Sequence, residues 1–323
     1  EMADILIYRI PEKEVVDQTG EFRRTSVPDS TSNFCIANSN KSALYYFHET
    51  GEKAAYFYSD RAPYAVSKKE YLMGGESLIH NFDLHGLQKA VYGRVKSVYF
   101  DETKCREMFD ELCERYPKAF VYLVSSELFG TWIGATPEVL LSMHGHQGYT
   151  MSLAGTKKVH AGEAWDDKEM EEQYIVTEFI QNRLLTQDLQ EIEQHGPFDI
   201  DAGPVKHLRT DFSFYSPDKS AIDIALELHP TPAVAGVPTK IAQDLVATIE
   251  PFYRDLYTGF IGATDEKNSY LYVNLRCCQI LPGKAYLYIG GGYTSSSIPE
   301  DEWEETENKA RTLLDILEKI DPR

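Results

Sequence analysis

The stretch GGGYTSSSIPEDEWEETENKARTLLDIL, residues 290–317, packs a glycine run, a serine run, a helix start and two opposite charges one helical turn apart into fewer than thirty positions. Ser297 followed three residues later by Glu300 has the spacing of a capping box, and Pro299 would sit in the first turn, where a missing N–H costs nothing. Beyond it, Trp303, Ala310, Leu313, Leu314 and Leu317 form an apolar stripe, so a helix is expected to pack on a core. Glu305 and Lys309 stand four apart and share a face. Alone they read as a solvated ion pair. Three glycines just upstream would let backbone N–H groups approach an anion, and an acid and a base beside such a turn suggest a metal and a carboxylate.

The rest of the chain sets the context. A length of 323 residues with 42% hydrophobic and 12% aromatic content describes a globular protein with a large core. A net charge of −19, without clustered Lys and Arg, argues against a nucleic-acid surface. No run approaches the roughly eighteen apolar residues of a membrane span, and the first residues carry no signal-peptide pattern. Five cysteines without a CxxC read as reduced thiols of a cytoplasmic protein, with Cys277 and Cys278 packed in a strand.

Strand-like runs at Ile5 to Ile10, Asn33 to Ile36, Ala43 to Phe47 and Ala54 to Ser59 are spaced for antiparallel pairing. In QKAVYGR, residues 88–94, alternation puts Lys89, Val91 and Gly93 on one face of a strand. A lysine there is either a snorkelling edge residue or a functional one. Residues 102 to 116 and 166 to 185 read as helices, the second with Glu169, Glu171 and Glu172 on its first turns, where acids ordinarily complement the helix dipole. Between them Glu138 leaves the restricted Pro137 turn directly into an apolar strand, so its direction is fixed; it is an ordinary surface acid or a positioned proton donor. Ala154-Gly155-Thr156 reads as a small-residue turn able to offer backbone donors. Asp188 to Pro204 reads as a helix end plus loop, and Leu228 to Lys240, with three prolines and a glycine, as an irregular functional segment. Leu256 to Thr264 reads as a strand. Arg276, embedded in a strand-like run, calls for an anionic partner. No repeat or linker interrupts the chain, and residues 1–323 are expected to form one domain.

Taken together, QKAVYGR (88–94), GATPEVLL (134–141), LAGT (153–156), EEQYIV (171–176), LHPTPAVAG (228–236), EPFYRDLYTGFIG (250–262), NLRCC (274–278) and the 290–306 stretch resemble the chorismate-utilising enzymes, isochorismate synthases above all. The match runs in the family's order over about the last three quarters of the chain; the short N-terminal region matches weakly. Gln173, Thr136 and Gly290 depart from the commonest pattern without removing a proposed functional group.

The resemblance implies an α+β fold, a two-lobed sandwich of large antiparallel sheets with helices outside and the active site between the lobes. It implies Lys89 as the base that activates water and Glu138 as the acid that protonates the departing hydroxyl. Glu172 and Glu305 would hold Mg²⁺, and through it the ring carboxylate of chorismate. Arg276 and Lys309, with backbone groups of Gly291 and Gly292, would hold the enolpyruvyl carboxylate; Gly155 and Thr156 would complete the ring-carboxylate pocket, and His229, Ala233 and Tyr257 would line the substrate. The residue types suit the chemistry, because a dianion needs several positive centres and a hard cation suits carboxylate oxygens. His229 to Ala233, reading HPTPA, favours water over ammonia, so no glutaminase subunit is expected; the chain is separately expected to be a monomer. A salicylate synthase, which goes on to eliminate pyruvate, is the second reading and an aminating enzyme the third; an inactive chorismate-binding relative is the alternative from another class. The product's use, in menaquinone or siderophore synthesis, is left open.

Overall fold

The computed structural model describes residues 2–159, 162, 164–202, 204–265 and 267–323. Among them the chain runs β1 (Asp4–Arg9), β2 (Val16–Thr25), β3 (Phe34–Ala37), β4 (Leu44–Glu49), α1 (Lys68–His80), α2 (Phe82–His85), β5 (Lys89–Tyr99), α3 (Cys105–Arg115), β6 (Phe120–Ser126), β7 (Gly130–Thr136), β8 (Val139–His144) and β9 (Gln147–Lys158). It continues through α4 (Asp167–Leu185), β10 (Gln190–Ala202), β11 (Val205–Tyr215), α5 (Ala221–Leu228), β12 (Gly236–Val237), α6 (Thr239–Ile249), β13 (Phe260–Thr264), β14 (Asn268–Val273), β15 (Cys277–Leu281), β16 (Lys284–Tyr293) and α7 (Pro299–Ile320).

The strands join in one ladder, β10-β11-β9-β8-β14-β13-β3-β4-β2-β1-β6-β7-β15-β16-β5-β12. The named strands pair antiparallel throughout. Laid flat, β11 and β16 would stand roughly 55–60 Å apart at the usual ~4.8 Å strand spacing. Yet residues of both line one cavity. The ladder therefore curls until its two halves face each other, which is the mixed α+β arrangement of stacked antiparallel sheets that the resemblance implies.

Apolar side chains on both faces hold this shape. The stripe expected on the last helix is real: Ala310, Leu313, Leu314 and Leu317 of α7 pack with Ile133, Cys278, Leu287 and Ile289 in one core. On β5 the expected alternation also holds, with Ala90 and Tyr92 turned into a cluster with Tyr71, Val246 and Tyr293. The rings of Tyr71 and Tyr92 stack at 4.8 Å. Arg94, buried at 1% exposure, lies 3.7 Å from the Trp303 ring and donates to Thr306 and Glu307, so β5 fixes the azimuth of α7.

Several local expectations are corrected. Ser297 and Glu300 form no capping box. The helix starts one residue later, with Ile298 as N-cap and Pro299 next, while Oγ of Ser297 accepts from the Thr294 N–H at 2.9 Å. Glu300 instead reaches across to Lys68 of α1. The segment 188–204 is mostly strand: β10 ends the ladder, pairs only with β11 and is solvated on both faces, so its sequence is polar without being a loop. Ala54 to Ser59 contributes a single bridge, Ala54 to Ala3, and no strand. Strand β13 begins at Phe260; before it the chain turns, with Thr258 at φ 67°. All five cysteines are free thiols, and Cys277 and Cys278 are fully buried in β15, as expected. No described helix is long and apolar enough to cross a membrane.

Candidate active site

The glycine run is not a turn. Gly290, Gly291 and Gly292 lie inside β16, paired with Gly93, Tyr92 and Val91 of β5, and none has a positive φ. What they supply is room. A Cβ on Gly290 would stand 2.5 Å from Oη of Tyr257, and one on Gly292 would stand 2.2 Å from Oε1 of Glu172 and 2.8 Å from Cε of Lys89. The strand is bare so that side chains from other elements can lie across it. Ala154-Gly155-Thr156 is likewise strand, interrupted by a bulge: Ala154 pairs with Leu208 and Lys157 with Lys206, leaving Gly155 and Thr156 opposite His207. Gly155 takes φ 66°, which glycine adopts without strain.

Around these strands lies the cavity. Glu138, Gly155, Thr156, Glu172, Ala233, Tyr257, Arg276, Gly291, Gly292 and Lys309 all line it. Ten of the expected positions thus converge from across the sequence. Lys89 and Glu305 sit immediately behind the wall: Nζ of Lys89 lies 3.0 Å from Oε1 of Glu172, and Oε1 of Glu305 lies 2.9 Å from Nζ of Lys309. The Glu305–Lys309 pair is therefore real but buried rather than solvated. His229 is the exception. As the C-cap of α5 it is buried away from the lining, its ring edge-on to Phe260 at 5.5 Å and Nε2 3.2 Å from the Ser39 carbonyl oxygen, and only Ala233 and Val234 of that segment reach the cavity.

Glu138 occupies the kink between β7 and β8. Its N–H faces Oγ1 of Thr136 at 3.3 Å, its carbonyl accepts from Val273 at 3.0 Å, and a register shift opposite β14 re-aims the chain there. Burial pushes its pKa up to about 7, against the pull of Lys89, Arg276 and Lys309. It is a carboxylic acid able to donate a proton near neutral pH. Lys89, 0% exposed, is shifted down by the same cause, with Glu172 opposing. Apart from its ion pair to Glu172, its amine finds no hydrogen-bond partner among the described residues.

Arg276 is held in the left-handed region at φ 49°, uncommon for a non-glycine residue and typical of strain kept at binding sites. Its guanidinium donates to Oγ1 of Thr312 and to Nε2 of His207, each at 3.0 Å, and no carboxylate among the described residues pairs with it. The expected anionic partner is thus not found among the described residues. His207, which the sequence reading passed over, is pushed down to about 3 by burial and by Arg276. The neutral ring donates from Nδ1 to the Gly155 carbonyl at 2.7 Å and so presents a lone pair to Arg276. Gln173, where the family often has histidine, anchors α4 by donating to Ser152 and Thr210.

Three carboxylates meet at the far end. Lys168, also missed in the sequence, places Nζ 3.0 Å from Oε1 of Glu302, 3.6 Å from Oε2 of Glu172 and 3.7 Å from Oε2 of Glu305. Burial raises the pKa of Glu172 and Glu305, but the surrounding lysines outweigh it and both are held low; Glu302 is raised by burial and by Glu305. Among the described residues no group of acidic, histidine or cysteine side chains forms a ready-made metal cage. The donors nevertheless fit a hard divalent ion, since Oε2 of Glu172 and Oε2 of Glu302 are buried without a hydrogen-bond partner among the described residues.

The curled antiparallel ladder thus closes on a pocket lined by Arg276, Lys309 and the buried acid Glu138. The chorismate binding enzyme profile matches residues 35–318, and the chain belongs to that family. It is 29% identical over 222 residues to the isochorismate synthase EntC of Escherichia coli K12, covering 65% of this chain and 57% of that protein. It is 32% identical over 199 residues to the isochorismate synthase DhbC of Bacillus subtilis, covering 57% and 50%. These matches span only about half to three fifths of the relatives' length. The solved structure of MenF, the menaquinone-specific isochorismate synthase of Escherichia coli, superposes with a TM-score of 0.80 at 20% identity over 98% of this chain and 89% of that one, a likeness of fold.

Two outcomes follow from the geometry. An acid whose pKa is raised on folding costs stability increasingly as pH climbs from about 4.5 to about 7, and the whole penalty is present above that. Glu138→Gln should therefore raise stability at pH 8 by up to about 3 kcal/mol and change it little at pH 4, as read from denaturant midpoints. Gly292→Ala should fold, because the atoms it meets are side-chain ends, yet lose at least ~10²-fold in turnover as Lys89 and Glu172 are displaced.

Proposed function

We propose that the chain is an isochorismate synthase, adding water at C2 of chorismate with loss of the C4 hydroxyl. The observation that carries this reading is a buried amine, Lys89 at the start of β5 just behind the cavity wall, together with a buried carboxylic acid, Glu138 at the kink between β7 and β8 on the lining, with no ion pair between them. Burial disfavours charge on both, so the amine can take a proton from water while the acid delivers one to the leaving hydroxyl. Each such transfer is typically worth about 10²–10⁴-fold. Arg276, oriented by His207, and Lys309, held against the Gly290 carbonyl at 2.9 Å, supply two positive centres for the enolpyruvyl carboxylate. Tyr257, Ala233 and the Gly155–Thr156 bulge shape the remaining wall.

Glu172 and Glu305, with Glu302 beside them, would hold Mg²⁺, which when bound would neutralise and fix the ring carboxylate. The names of the relatives support the reading, as does the HPTPA segment, which favours water as nucleophile.

Chromatography of products from chorismate and Mg²⁺ should show isochorismate without pyruvate; one pyruvate per chorismate would mean a salicylate synthase. Lys89→Ala should lose at least ~10²-fold in kcat while chorismate binding stays measurable, and unchanged turnover would remove Lys89 as the base.

A further inference from the structure

The ammonium of Lys168 lies between the carboxylates proposed to hold the metal. Its contacts of 3.0–3.7 Å come from two elements, Glu172 on its own helix α4 and Glu302 and Glu305 on α7. All four side chains are 15% exposed or less. Burial works to lower the Lys168 pKa, but Glu305, Glu172 and Glu302 outweigh it, so the amine is firmly cationic. Without it, three buried carboxylates would face one another with only Lys89 and Lys309 at the margins, each on a single partner.

A divalent ion bound by these oxygens would approach them at roughly 2.0–2.6 Å. An ammonium already within ion-pair distance of the same oxygens cannot share that space, and a charge of +1 beside +2 in a water-poor pocket is strongly repelled. We propose that Lys168 is a built-in competitor for the metal, which preforms the carboxylate cluster in the metal-free chain and is expelled when the divalent ion enters. This rests on the reading of Glu172 and Glu305 as metal ligands. A monovalent ion that displaces Lys168 exchanges one unit charge for another and gains nothing, whereas Mg²⁺ adds a unit. The lysine therefore sets a threshold that selects divalent over monovalent cations as well as lowering affinity.

The test compares the native chain with Lys168→Met. Calorimetric titration with MgCl₂ should show binding at least ~10-fold tighter in the variant, with potassium chloride competing in the variant and not in the native chain. In EDTA the variant should melt below the native chain, and at saturating Mg²⁺ the two should melt together, because the lysine has then left its partners. In the native chain, acylation with an N-hydroxysuccinimide ester followed by peptide mass mapping should find Lys168 protected in EDTA and labelled in Mg²⁺, a result that does not depend on the variant folding. Equal affinity in the two proteins, or labelling of Lys168 that Mg²⁺ leaves unchanged, would overturn the competition alone. Absence of Mg²⁺ binding in both would overturn the metal reading with it.

Discussion

The structure depends on keeping several charges out of water in the seam between the two halves of one sheet. Lys89, Lys168 and Lys309 stand against Glu172, Glu302 and Glu305, while Arg276 has only neutral partners among the described residues and burial raises the pKa of Glu138 to about 7. Burial of a charge is tolerable only where an opposite charge or a ligand compensates it. That requirement brings together β5, β16, α4 and α7. It also explains why β16 is bare at 291 and 292, where a side chain would meet Glu302, Glu305, Glu172 and Lys89.

Rigid apolar packing holds the arms in place. Helix α7 carries Glu302, Glu305 and Lys309 on a stripe next to the one that buries Ala310, Leu313, Leu314 and Leu317, so its register against the sheet sets where the charged atoms fall. The Arg94–Trp303 stack fixes its rotation, and Glu250 ties the opposite wall by accepting from the Gly93 N–H at 2.8 Å while paired with Arg254. Neighbouring ionisable groups are thereby pushed in opposite directions, the condition for acid and base to work side by side.

Much of this was legible in the chain, for identifiable reasons. Alternation in QKAVYGR set Lys89 on one strand face with Val91 and Gly93, which marked it, and Pro137 announced that Glu138 leaves a constrained turn. The heptad-like spacing of Ala310, Leu313, Leu314 and Leu317 gave the last helix. Other features misled because local chemistry was overridden by distant partners. Glu300 is claimed by Lys68 rather than by Ser297, and the glycines answer to Glu172, Lys89 and Tyr257, residues far away in the chain. His207 and Lys168 carried no local signal: their importance arises from contacts with Arg276 and with Glu302 and Glu305, across separations no periodicity reports. Strand β10 was hidden because an edge ribbon wet on both faces loses the alternation that marks a strand.

The central claim is that Lys89 and Glu138 act on two different oxygens, one arriving from water and one leaving the ring. Turnover of chorismate in heavy-oxygen water, followed by mass spectrometry of the product, tests it most directly. One heavy oxygen per isochorismate, placed at C2 by fragmentation, is the expected result. Product that retains only natural-abundance oxygen would mean that the hydroxyl migrates within the substrate, and would contradict the assignment of base and acid.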